Sequence, residues 1–188
     1  MDITSPNPSR DKPAPTVVSF TPGRGHAALR RGRWSCAGAE YFLTICTEDR
    51  VSGLLADAVA PALLDHAHRL TRDDVWNLRT AVVMPDHVHL LVTLGRAVEL
   101  PDAIRLFKGR LTPALRSANL HWERGCFDHR MRHDEDRLSV FLYVFLNPYR
   151  AKLIRASETW PAYYCAPEDW TWFSALTNST CPYPEWLL

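Results

Sequence analysis

Val75-Trp-Asn-Leu-Arg-Thr-Ala-Val-Val-Met84, then Pro85-Asp86, then His87-Val-His-Leu-Leu-Val-Thr-Leu94 is the stretch from which the fold can be read. Both flanks are rich in β-branched and apolar residues, and Met84-Pro85-Asp86 is a turn signal between them. A link this short joins two strands as an antiparallel pair. Upstream, Tyr41-Phe-Leu-Thr-Ile-Cys-Thr47 reads as a first strand. Between the two, Asp57–Leu70 carries apolar residues at 59, 63, 64, 67 and 70, which is helical spacing with Asp57 as its cap. Downstream, Leu100–Arg116 predicts a second helix with Pro101 in its first turn. Residues 120–133 are ambiguous, a short strand being one reading. From Asp136 to Arg150, Leu138, Phe141, Leu142, Phe145 and Leu146 form one apolar stripe of an amphipathic helix. Pro148 disfavours helical geometry at Asn147 and predicts a kink or an end there. The order β, α, β, β, α, an open segment, then α predicts an α+β sandwich with helices covering one face of a sheet.

The chain has 188 residues, of which 46% are apolar, enough for one packed domain with tails. Its formal net charge is only +1, so distribution matters more than the sum. Arg30, Arg31 and Arg33 form one basic cluster; Arg105, Lys108, Arg110 and Arg116 form a second; Arg150, Lys152 and Arg155 form a third. Acids gather elsewhere, at Asp73-Asp74 and Asp134-Glu135-Asp136. Five cysteines, an odd number at irregular spacing, point to reduced thiols and a cytoplasmic compartment. No apolar run reaches membrane-spanning length and no signal core opens the chain. Residues 1–30, rich in Pro, Ser and Thr, are expected to form a flexible arm, residues 31–155 the domain, and residues 156–188 a tail. That tail carries prolines at 161, 167, 182 and 184 and four tryptophans. It is read as irregular, with its aromatic residues packed on the body.

His87 and His89 are two apart on a strand, so both imidazoles leave by one face. A rigid same-face pair is half of a metal site. His66 and His68 share the spacing but fall on a helix, where they point about 200° apart and cannot easily share an ion. On the last helix, Tyr143 and Asn147 are one turn apart, about 40° from each other, on an edge beside the apolar stripe. Taken singly, each pair also has a plain structural reading: a surface or satisfied histidine pair, a half-buried tyrosine, an asparagine helix stop.

Taken together, these residues carry a resemblance. Val82-Val-Met-Pro-Asp-His-Val-His-Leu-Leu91 resembles the His-hydrophobic-His motif of single-tyrosine transposases. Tyr143-Val-Phe-Leu-Asn-Pro-Tyr-Arg-Ala151 resembles the tyrosine helix of REP-associated tyrosine transposases. Three further stretches fit that family in order: Arg30-Arg31 ahead of Tyr41-Phe-Leu-Thr44, Phe107-Lys108, and Trp122 to Arg132. The resemblance spans residues 30 to 155. It implies a ferredoxin-like antiparallel sheet, Mg²⁺ or Mn²⁺ on His87, His89 and Asn147, and Tyr143 as nucleophile. It also implies palindromic single-stranded hairpin DNA as substrate, a 5′-phosphotyrosine link, a monomer or homodimer, and a bacterial, nucleoid-associated location. Arg30, Arg31, Arg33, Arg105, Lys108, Arg110 and Arg150 are the candidate DNA contacts.

The sequence departs from the family at four places. Asp86 stands where Asn is common, and is read as closing the turn in preference to entering a metal's outer shell. Tyr149 replaces Val and is a rival nucleophile; its place near the apolar stripe favours Tyr143. Lys152 replaces Gly, and Gly125-Cys126 replaces a more basic pair. Three other readings compete. Cys126, His129 and His133 have part of a zinc pattern without the second cysteine pair. A replication initiator or relaxase shares the histidine chemistry but is usually a larger chain. A non-cleaving module that binds DNA hairpins or RNA would use the same fold.

Overall fold

The computed structural model describes residues 35–133, 135 and 137–174. The expected N-terminal arm (residues 1–30, with Arg30) lies outside the described residues, as do Arg31 and Arg33 at the start of the expected domain and residues 175–188. Strand β1 (Glu40–Cys46) leads to helix α1 (Val59–Arg72), then β2 (Trp76–Val83) and β3 (His87–Leu94). Helix α2 (Leu100–Ser117), β4 (Phe127–Arg130), α3 (Arg137–Arg150), β5 (Tyr163–Cys165) and α4 (Pro167–Phe173) follow. The sheet is antiparallel throughout, in the order β4-β1-β3-β2-β5. Its first four strands with α1 and α2 form the β-α-β-β-α-β arrangement of ferredoxin-like folds. The Met84 N–H donates to the His87 carbonyl (2.8 Å) and closes the β2–β3 turn. Asp57 is not the cap of α1: the helix opens at Val59 behind Ala58, with no side-chain cap.

Helices cover both faces of the sheet, not one. On β3, Leu94 lies opposite Trp76, whose indole N–H donates to the Ala67 carbonyl of α1 (3.0 Å). His89 is five residues from Leu94 and so leaves by the other face. There α3 packs, bringing Tyr143 against His89 and Phe42. Sequence periodicity shows which stripe of a helix is apolar but not which face of the sheet receives it.

A bulge between Leu78 and Thr80 displaces Arg79 from the ladder. The Arg79 guanidinium turns to Asp169 of α4 (2.7 Å), a carboxylate 2% exposed that Arg137 of α3 also meets (3.3 Å). Phe173 is fully buried against Phe141 and Phe145. The segment read as irregular therefore contains a strand and a helix, and α4 fastens α3 to the sheet.

Pro148 does not end α3, which runs on to Arg150. A proline removes one helical N–H, a small loss in the last turn, where the donors that follow find other partners. The Lys152 N–H donates to the Tyr149 carbonyl (2.9 Å) and the Leu153 N–H to the Pro148 carbonyl (2.9 Å). That is a Schellman closure, and Lys152 takes the left-handed conformation it requires (φ 57°), where glycine is at home.

Candidate active site

β3 presents His87 at its first position and His89 two residues on. Across the ladder, Cys46 faces His87 and Thr44 faces His89 on β1, while Val82 faces His89 on β2. The His87 Nε2 and His89 Nε2 atoms are 3.0 Å apart. Each ring is held from behind through its other nitrogen: His87 Nδ1 lies 2.7 Å from Asp86 Oδ1, and His89 Nδ1 lies 2.8 Å from Thr44 Oγ1. His89 also stacks on Phe42, with centroids 5.3 Å apart. Asp86 therefore does more than close the turn. Its Oδ1 holds His87, and its Oδ2 receives the Arg50 guanidinium (3.2 Å).

Burial holds both imidazoles below the ordinary histidine value. For His87 the Asp86 carboxylate opposes the shift; for His89, whose value falls well below, the neighbouring His87 and Arg50 reinforce it. Both rings are accordingly neutral at pH 7, the form that can bind a cation. The Cys46 thiol, pushed up to about 11 mainly by burial, stays protonated beside them.

Two nitrogens 3.0 Å apart suit one ion of Mg²⁺ size. Adjacent corners of an octahedron with bonds of about 2.1 Å are about 3.0 Å apart. Among the described residues no group of three or more His, Cys, Asp and Glu converges on one point. A further ligand from the described residues would be of another type, such as an amide oxygen.

α3 brings the Tyr143 ring edge-on to His89 (centroids 5.2 Å) and to Phe42 (5.7 Å). Asn147, half-buried, follows one turn later. Tyr149 is aimed elsewhere: its ring packs on Phe145 and its hydroxyl donates to the Glu158 carbonyl (3.0 Å).

The chain matches the family described as Transposase IS200 like over residues 35–130, just over half its length. The chain belongs to the IS200-like transposase family. A REP-associated tyrosine transposase of Escherichia coli (strain K12) is 26% identical over 131 residues, 69% of this chain and 78% of that protein. The ISDra2 transposase TnpA of Deinococcus radiodurans is 32% identical over 81 residues, 43% of this chain and 57% of that one. A solved REP-associated tyrosine transposase, bound to a REP hairpin, superposes with a TM-score of 0.58. That pair is 26% identical, over 70% of this chain and 79% of the other.

Within this IS200-like transposase, the basic residues expected to meet DNA are placed unequally. Arg110 and Arg150 are exposed. Arg105 is exposed and pairs with Asp102 (3.1 Å). Lys108 is turned inward instead. Its ammonium donates to the carbonyls of Glu123 (2.7 Å) and Gly125 (2.5 Å), and its own carbonyl accepts from the Trp122 indole (3.2 Å). Phe107-Lys108 and the Trp122 segment, read separately in the sequence, are thus stitched together. His66 is buried, its Nε2 3.3 Å from the Leu106 carbonyl, and His68 packs on Tyr164; the two are employed separately. His129 pairs with Glu135 (2.8 Å). Sequence reasoning missed Thr44, Phe42 and Arg50. Thr44 left a faint signal, a hydroxyl in an apolar strand, which gains meaning only once the β1–β3 register is known.

Proposed function

We propose that this IS200-like transposase cuts and rejoins single-stranded hairpin DNA through Tyr143, with a divalent ion held by His87, His89 and Asn147. The observation that carries the reading is the placement of the Tyr143 ring 5.2 Å from the His89 ring, on the face where the two Nε2 atoms converge. The REP hairpin held by the solved relative supports the substrate class.

A DNA phosphodiester resists attack because its oxygens repel a nucleophile. Mg²⁺ or Mn²⁺ at the histidine pair would draw charge from a non-bridging oxygen and orient the phosphate. The Tyr143 hydroxyl loses its proton to solvent or substrate, and its oxygen bonds to phosphorus. The bond from phosphorus to the 3′ oxygen breaks, and that oxygen takes up a proton. The 5′ phosphate then remains on Tyr143. A 3′-hydroxyl attacking the same phosphorus releases the tyrosine and reseals the strand, so no ATP is needed. Phe42 and His89, stacked on each other, both meet the Tyr143 ring and position it while the oxygen reacts. Arg105, Arg110 and Arg150, with Arg30, Arg31 and Arg33 of the N-terminal segment, supply phosphate contacts.

The test is to incubate the protein with hairpin DNA from the flanks of its own gene and Mn²⁺, then denature. A protein–DNA adduct that needs the ion and maps to Tyr143 is expected. An adduct that forms undiminished with chelator, or in the His87→Ala/His89→Ala variant, overturns the reading.

A further inference from the structure

The loop after β1 is built around the Met84–His87 turn. The Thr47 N–H and hydroxyl both donate to the Asp86 carbonyl (2.9 Å each), and the Gly53 and Leu54 N–H groups donate to the Pro85 carbonyl (2.8 and 2.9 Å). Between these ties the backbone passes through Asp49 and Arg50, both left-handed at φ 53° and 57°. Two consecutive side-chain-bearing residues avoid that conformation unless the surroundings impose it. Its product is the Arg50 guanidinium against Asp86 Oδ2, with Asp86 Oδ1 on His87 Nδ1. Arg50 remains 45% exposed, so burial of its own side chain does not account for the strained turn.

We infer that Arg50 and Asp86 are positioning residues for His87: Asp86 fixes which ring nitrogen carries the proton, and Arg50 holds Asp86 to that task. An ionised carboxylate only accepts hydrogen bonds. At 2.7 Å from it, Nδ1 of the neutral ring must carry the proton, so Nε2 presents its lone pair. The guanidinium, seated on the second carboxylate oxygen, balances the charge and keeps Asp86 from swinging toward a cation itself. Thr44, behind His89, exerts no such control, because a hydroxyl both donates and accepts. His87 is thus the ligand locked in advance, and His89 the one that adapts.

This rests on the histidine pair being the metal site, and two measurements separate the failure of one from the failure of the other. The first is the ring ¹⁵N spectrum of the metal-free protein at pH 7.5. His87 is expected to carry its proton on Nδ1 in the wild type, to keep it there in Asp86→Asn, whose amide oxygen still accepts, and to lose the preference in Asp86→Ala. The second is calorimetric titration with Mn²⁺, where Asp86→Ala and Arg50→Ala are each expected to weaken binding about 10- to 100-fold, with Arg50→Lys intermediate. His87 unchanged in Asp86→Ala, or Mn²⁺ affinity within twofold of wild type in both alanine variants, overturns the inference. A wild type that binds no Mn²⁺ but shows the expected ring spectra sinks the metal site and leaves the positioning of His87 standing. Arg50→Ala lies at the surface and serves if Asp86→Ala does not fold.

Discussion

Thr44 Oγ1 and His89 Nδ1 lie 2.8 Å apart across the β1–β3 ladder, both buried. With His87 Nδ1 protonated, the 3.0 Å separation of the Nε2 atoms is bridged without a cation if His89 donates to His87. Thr44 then donates to His89. Binding an ion at both Nε2 atoms requires the His89 proton to move to Nδ1 and the Thr44 hydroxyl to become the acceptor. Thr44→Val removes that acceptor and leaves a buried nitrogen unpaired, at a cost of about 1–3 kcal/mol. We expect the Mn²⁺ concentration for half-maximal adduct formation to rise about tenfold or more, and Thr44→Ser to restore it. An unchanged metal requirement in Thr44→Val contradicts the exchange of roles.

Tyr143→Phe is expected to abolish the covalent adduct while leaving hairpin binding and the melting temperature close to wild type. The ring packing on Phe42 and His89 survives the loss of one oxygen. Tyr149→Phe is the counterpart. It gives up the bond to the Glu158 carbonyl, about 1 kcal/mol of stability, and keeps full activity. Mass spectrometry of the digested adduct decides between them: a nucleotide on Tyr149 reverses the assignment.

Arg110→Glu and Arg150→Glu, both at exposed positions, are expected to weaken hairpin binding at low salt and flatten its salt dependence. The slope of log affinity against log salt should fall by about one for each phosphate that is no longer neutralised. Lys108→Met should instead lower the melting temperature, because its ammonium holds the Glu123–Gly125 loop. A Lys108→Met variant that loses only affinity would return it to the DNA surface.

Acid should destabilise the protein through its buried histidines. His66, His87 and His89 are all held below the ordinary histidine value, first of all by burial. Below about pH 6.5 the unfolded chain takes up protons that these folded rings refuse, so stability falls with pH. It is full above that value and lost as pH drops toward the folded values. The melting temperature in chelator should therefore be lower at pH 5.5 than at pH 7.5. A level or rising trend over that interval would show that the rings accept protons in place.

Lys152→Gly should stabilise the protein by about 1 kcal/mol, because Lys152 closes α3 in a conformation that costs a residue with a side chain roughly that much. Thermal denaturation checks it, and a loss of stability would mean that the lysine side chain outweighs its backbone.

Local features of the site were legible and relational ones were not. His87–Leu94 has the strand range read from the sequence, and the shared face of His87 and His89 follows from an alternation that needs no knowledge of neighbours. The one-turn spacing of Tyr143 and Asn147 is likewise local. Which face of the sheet receives α3, and that Thr44 stands behind His89, depend on chain crossing and register, which no window of residues contains. Pro148 does not end α3 because the Schellman closure formed by the residues beyond it absorbs the lost donor, and that closure is not visible in the proline alone. Residues 160–174 read as irregular because Pro161 and Pro167 interrupt regular structure in a local reading, whereas Pro167 opens α4 and Ala162 accepts from the Val83 N–H.

The bordering strands of the sheet are its shortest, four residues in β4 and three in β5, against seven or eight in the inner three. An open strand edge is a template on which a foreign strand can add, and a short one offers few rungs. Because β5 lies along Thr80–Val82, the long apolar β2 is sealed there by a strand made after the other four. A nascent chain that has reached only α3 therefore presents that edge bare, and the period before residue 165 emerges is when self-association should be most frequent.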